Sequence, residues 1–172
     1  TNQRYMSTSL NESALPLENH KIYSPQKIRH LHIEQKYKNL VLFESDLNVN
    51  ERHSFFENYE NIFLVLVDNN HRNIKLDKKV INFKINLQEA FIREISNSQI
   101  IHQDDIKKLN EEFDVMYPNI GENMDFLNRE VKDVSKLHFI GLKEDIFCWK
   151  FSKKGFFNFK KNIPEVINFC LL

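Results

Sequence analysis

From residue 39 onward, short apolar runs alternate with polar breaks. Leu40-Val41-Leu42-Phe43 and Ile62-Phe63-Leu64-Val65-Leu66-Val67 are uninterrupted, the pattern of short buried strands. Residues 50–59 between them have the length and polarity of a short helix, so the order is strand, helix, strand. Asn69-Asn70 and the polar residues to Asn73 are turn chemistry. Ile74, Leu76, Val80, Ile81, Phe83 and Ile85 then alternate as strand positions do. Residues 34–86 predict a small α/β unit of three or four strands. The polar stretch before it, with Pro16, Pro25 and no sustained period, predicts an extended N-terminal arm over residues 1–33 with one short helix near 26–31.

Beyond residue 86 the period lengthens. Leu87, Phe91, Ile92 and Ile95 predict one helix. Ile106, Leu109 and Phe113 predict a second, begun by Asp104-Asp105, and Met124, Leu127, Val131, Val134 and Leu137 a third. Phe139-Ile140-Gly141-Leu142, the polar Lys143-Glu144-Asp145 and residues 146–151 read as a β-hairpin. Three helices and a hairpin, with Ile100-Ile101 as a short first strand, resemble a winged-helix domain in element order over residues 87–152. The resemblance implies either a third helix for a DNA groove or a protein-docking module. Glu122, Asp125, Glu130 and Asp133 on that helix would face phosphate, outnumbering Arg129, Lys132 and Lys136, which favours docking. The expected fold class is α+β: the arm, the small α/β unit, and a winged-helix-like module with a C-terminal tail over residues 87–172.

Composition narrows the function classes. The three glycines stand apart at Gly121, Gly141 and Gly155, which excludes a glycine-rich phosphate cradle and leaves no cofactor expected. Fifteen phenylalanines and 41% hydrophobic residues suffice for a core. Cys148 and Cys170 sit in apolar runs without metal or redox spacing, so a reducing, intracellular compartment, cytoplasmic or nuclear, is expected. No apolar run approaches the roughly 18 residues a membrane span needs. Net charge is zero, yet residues 103–125 are rich in acid and residues 147–161 hold lysine without acid.

Residues 147–161 interleave six aromatics with five lysines. This is the chemistry of single-strand stacking and phosphate contact, or equally of a core strand with solvated lysines. The candidate interaction surface is Trp149, Lys150, Lys153, Lys154, Phe156, Phe157, Phe159, Lys160 and Lys161. His30, His32 and Glu34 share one side of an extended segment but lack a fourth metal ligand. Asp46, Asp68 and Asp77 fall at predicted strand ends, where α/β enzymes hold ligands and where ordinary caps also sit. Tyr5-Met6-Ser7-Thr8-Ser9-Leu10 resembles the Ser-Thr-Ser strand of ADP-ribosyltransferases, but the required Glu-x-Glu pair is absent. Residues 87–96, followed by Phe139-Ile140-Gly141-Leu142-Lys143-Glu144-Asp145, are similar to the 3′-phosphate segment and Phe-Ile-Gly box of sulfotransferases. Gln88 stands where their first arginine is expected. The expected function is a non-catalytic protein-interaction subunit of an intracellular assembly, assemblies that handle nucleic acid included. Its partner would be a protein, with nucleic acid second and no membrane. The alternative is an α/β enzyme or enzyme fragment, transferase or sulfotransferase-like, with its site near Asp46 and Asp68.

Overall fold

The computed structural model describes residues 31–49, 52–108, 112–118, 120–152 and 156–171. Five strands, β1 (Asn39–Phe43), β2 (Asn61–Val65), β3 (Ser98–Ile100), β4 (Phe113–Met116) and β5 (His138–Ile140), form one sheet in the order β3-β2-β1-β4-β5. Every pairing is parallel; Leu40, for example, lies opposite Ile62 on one side and Asp114 on the other. Among the described residues six α-helices accompany them: α1 (His53–Glu57), α2 (Lys78–Glu94), α3 (Glu122–Glu130), α4 (Lys143–Trp149), α5 (Phe156–Lys161) and α6 (Ile163–Leu171). The fold is thus a mixed α and β class with a wholly parallel sheet, and none of the described helices is long and apolar enough to cross a membrane.

Alternate residues of β1 feed two different cores. Leu40 and Leu42, with Ile62, Leu64, Met116 and Ile140, pack against Phe56, Phe91 and Ile95 from the α1 and α2 side. Val41 and Phe43, with Val65, Val115 and Phe139, pack against Ile106 and against Met124, Phe126 and Leu127 of α3. That explains the uninterrupted apolar runs: a strand covered on both faces has no solvent side to make polar. The helices that follow β1 and β2 and the helix that follows β4 therefore lie on opposite faces of the sheet. Each fully buried Leu or Phe contributes about 1.5–3 kcal/mol.

The short helix expected at 50–59 is α1, and strands stand where they were expected at 40–43, in the 62–67 run and near Ile100. Several other expectations are corrected. Residues 78–94 are one helix rather than strands. Asp77 caps it by accepting a hydrogen bond from the Lys79 amide at 2.8 Å, and Ile81, Ile85, Gln88 and Phe91 then follow helical spacing. Val80 and Phe83, expected at strand positions, face solvent at 41% and 61% exposure; periods of 2 and 3.6 coincide over so short a window. The expected boundary at residue 86 falls inside α2. Residues 103–108 form only a 3-10 turn, and Phe113 begins β4, so the second expected helix is absent from the described residues. Gly121, at φ +142°, introduces α3, which stops at Glu130. Val131 is extended, and Asp133 caps a separate 3-10 turn by accepting from the Ser135 amide.

The hairpin is also overturned. Residues 138–140 pair in parallel with β4, and residues 143–149 are helix. Leu142, Ile146 and Trp149 recur at helical spacing, and Phe147 of α4 stacks on Phe169 of α6 with centroids 3.9 Å apart. The three-helix-and-hairpin arrangement expected over 87–152 is therefore not confirmed, because β3 and β5 belong to one parallel sheet and the second expected hairpin strand is helix. The helix expected near 26–31 lies outside the described residues except Leu31. At the arm's end, His32 bridges Ile140, extending the β5 edge by one residue.

Candidate ligand site at the carboxyl edge of the sheet

All five strands point the same way, so the segments leaving β1, β2 and β3 emerge on one edge. Strand order reverses between β1 and β4, and in open α/β sheets ligands collect at such edges, commonly at that switch point. Here the protein's own carboxylate fills the end of β1. Glu44, immediately after β1, is 9% exposed. Its Oε1 accepts from Arg72 Nη2 at 2.8 Å and Lys84 Nζ at 2.6 Å, and its Oε2 accepts from Asn123 Nδ2 at 3.3 Å. Arg72 also donates from Nε to the Val67 carbonyl at 2.7 Å. One carboxylate thereby joins the end of β1 to the loop after β2, to α2 and to α3. Beside it Glu122 accepts from the amides of Asn73 and Ile74, which hold its carboxyl below the usual range.

Beyond β2 and β3 the edge opens into a cavity of about 360 Å³. Leu66, Ile85, Ile100 and Ile101 give it apolar walls, and Asp68, Gln88, His102 and Gln103 supply polar groups. Gln88 comes from the inward face of α2 and is 2% exposed, yet its Nε2 finds no hydrogen-bond partner. An unsatisfied buried amide costs about 1–3 kcal/mol, so such groups call for an explanation.

Asp68 is the anionic group of this cavity. Burial alone would raise its pKa, but hydrogen bonds from the Gln103 side chain, from His71 and from the Asn70 amide outweigh it and hold the carboxyl at about 2. The Asp68 amide in turn donates to Gln103 Oε1 at 2.8 Å. His71 Nδ1 lies 3.1 Å from Asp68, and its Nε2 lies 3.7 Å from Asp104, which His102 approaches at 3.3 Å. Phe126 meets the His71 ring edge-to-face at 5.7 Å. The arrangement offers an ionised acceptor, a buried amide and apolar walls in one place. Among the described residues no cluster has the make-up of a metal site.

The aspartates singled out from sequence separate here. Asp68 borders the cavity; Asp77 is the cap of α2; Asp46 follows β1, where burial raises its pKa against the Ser45 hydroxyl that donates to it at 2.8 Å. His30 lies outside the described residues. His32 stacks on His138 at 4.0 Å near the start of β5, and the Glu34 carbonyl is 3.2 Å from His138 Nε2, so these groups serve packing of the arm. A second cavity of about 570 Å³ lies there too, beside Lys132, Ser135 and Leu137, away from the strand carboxyl ends. Arg93 is exposed in the last turn of α2.

Of the basic aromatic segment, residues 147–149 end α4 and residues 156–161 form α5, so its first part is helix rather than the expected strand. Trp149 is half-buried against Tyr117, with centroids 5.9 Å apart, and Lys150 lies over the Phe147 ring at 4.9 Å. Phe156 and Phe157 are exposed at 67% and 78%, Phe159 is half-buried, and Lys160 and Lys161 are exposed. Lys153 and Lys154 lie outside the described residues. Cys148 is half-buried and burial pushes its thiol up, whereas Cys170 is exposed rather than packed in the core. Glu44, Arg72, Lys84, Gln88 and Gln103 are site residues that sequence reasoning missed. Only the polarity of Gln88 in an otherwise apolar helix stripe offered a signal. A scan against protein families, a search of curated proteins and a search of solved structures each found no match.

Proposed function

We propose that the chain is a small-molecule-binding α/β domain of the enzyme type, with its site in the cavity at the carboxyl ends of β2 and β3. The observation that carries this reading is the pairing of a buried, unpartnered Gln88 amide with an ionised Asp68 at one cavity. Evolution tolerates an unpaired buried amide where a bound molecule supplies the missing partner. The test is a fragment screen read by amide chemical shifts. Shifts should concentrate on Leu66, Gln88, Ile100 and Gln103; a broad fragment library that leaves those four amides unmoved would dispose of the reading.

A second reading, the non-catalytic interaction subunit, draws support from α6. Val166 and Phe169 are half-buried, while Ile163, Ile167, Cys170 and Leu171 form an exposed stripe at spacings of four, three and one. A helix apolar on both faces normally has neighbours on both. Replacing Ile163, Ile167 and Leu171 by Gln would abolish capture of a protein partner under this reading and leave small-molecule binding untouched.

A further inference from the structure

Resting on the proposed carboxyl-edge site, we infer that the cavity between α2 and the ends of β2 and β3 takes a ribonucleoside, with the base between the isoleucine walls and the ribose hydroxyls on Asp68. Three features of the lining select this class. Ile85 from α2, with Ile100 and Ile101 at the end of β3, presents apolar walls, which suit a flat ring system more than a sugar alone. Gln88 brings an amide with a free donor to the same cavity, and an amide is the side chain that pairs with the mixed donor and acceptor edge of a base. Asp68, 40% exposed at its side chain, stays ionised throughout the neutral range and so accepts hydrogen bonds without donating any. Asn70 and His71 already hydrogen-bond it; a neighbouring pair of hydroxyls would take up the acceptor capacity left on its exposed side, and an acidic side chain beyond the second strand of such a sheet is well placed for ribose.

The same groups exclude other ligands. Asp68, in the cavity lining, repels phosphate and carboxylate. The end of β1, where a phosphate chain would be sought in this topology, is closed by Glu44 with Arg72 and Lys84 already paired to it, and no glycine follows β1 to let a phosphate approach backbone. The recognised portion is therefore the uncharged nucleoside, either free or as the end of a larger nucleotide. The cavity volume of about 360 Å³ lies within the range of roughly 300–1,000 Å³ usual for such ligands.

The experiment titrates the full chain with adenosine, guanosine, cytidine and uridine, their 5′-diphosphates and their 2′,3′-dideoxy forms, following amide shifts. One ribonucleoside should shift Leu66, Gln88, Ile100 and Ile101. Its dideoxy form, and the Asp68→Asn variant, should bind at least ~10-fold more weakly, the loss expected when a charged acceptor goes unused. Gln88→Met, similar in size and without a donor, should weaken the ribonucleoside about 3- to 10-fold. Its thermal midpoint should not fall, since it removes an unsatisfied amide. Equal or weaker binding of the diphosphate assigns the free nucleoside; tighter binding that survives Asp68→Asn overturns the assignment of the ribose to Asp68. If ribose-free fragments shift these amides while no ribonucleoside does, the nucleoside assignment fails and the ligand site stands. If nothing shifts them, both fall.

Discussion

Asp114 and Asp68 are aspartates at opposite edges of one sheet, and their surroundings divide a structural plug from a candidate site. Asp114, near the start of β4, is fully buried. Its carboxylate accepts from the Lys36 amide at 3.1 Å, from the Tyr37 amide at 3.3 Å and from the Tyr59 hydroxyl at 3.1 Å. Burial nonetheless raises its pKa, and burial with the nearby carboxylate raises that of Tyr59. Every oxygen is engaged by the protein, and the group pins the segment after the arm and the turn after α1 to the amino edge. Asp68 has strong partners too, but it is partly exposed, fully ionised and borders a cavity with an unpaired amide. A buried polar group becomes a site when capacity and access remain after the fold has taken what it needs.

Glu44 sharpens the contrast, because it shows that the carboxyl edge is itself part plug. Glu44→Ala would strand Arg72 and Lys84 in the interior, and breaking a buried pair from one side costs about 3–5 kcal/mol. Chemical denaturation should show a loss in that range with little change in slope. A loss below about 1 kcal/mol would mean that the cluster is solvated and the end of β1 open to ligand.

Asp114→Ala should cost somewhat less, about 3 kcal/mol, since it leaves two amides and a hydroxyl without their acceptor but no unpaired charge. Asp68→Ala should cost no more than about 1 kcal/mol, as partly exposed pairs contribute little. Equal losses at the two aspartates, measured by the same denaturation, would erase the distinction between the edges.

Part of this contrast was legible in the sequence. The uninterrupted apolar runs at 40–43 and 62–67 announced strands with a short helix between them, and Asp68 fell at a strand end; that the strands pair in parallel came from the structure. The partition of roles among aspartates was not legible: Asp77 and Asp68 both accept from the amide two residues on, and only the fold brings Gln103, 35 residues away, to Asp68. Asp114 is 55 residues from Tyr59, and Glu44 is 79 from Asn123, so no local pattern links them. The expected hairpin fails for a similar reason. Ile146 to Trp149 are β-formers by type, and the helix they form is held by Phe169, which lies far along the chain in α6.

Acid should resolve the two edges in opposite directions. Asp114 has a raised folded-state pKa, so the folded state takes up its proton first. Its contribution is complete below the ordinary value of 3.8 and is lost as pH rises through the raised value. Asp68 is lowered, so its contribution is present above 3.8 and is lost as pH falls toward about 2. Stability should therefore rise as pH drops from neutrality toward about 4, then fall below it by about 1 kcal/mol for Asp68 after allowance for its exposure. Urea unfolding against pH should lose the rising limb in Asp114→Asn and most of the falling limb's Asp68 share in Asp68→Asn; a curve that falls monotonically from neutral pH would contradict the assignment at Asp114.

The smallest effect belongs to the surface that sequence singled out. Lys160 and Lys161 lie exposed on α5, so replacing both by Gln should change stability by less than about 0.5 kcal/mol. The informative readout is binding. If α5 and α6 held nucleic acid, with Phe156 and Phe157 stacking on bases, the double change would flatten the salt dependence of single-strand binding by roughly 0.7 for each phosphate no longer neutralised. Fluorescence anisotropy with an unstructured oligonucleotide should show no such dependence, because a balanced net charge supplies no field to gather the strand and the ionised groups near the cavity repel it. Lysine-dependent binding in the micromolar range would move the function from the edge of the sheet to the C-terminal helices.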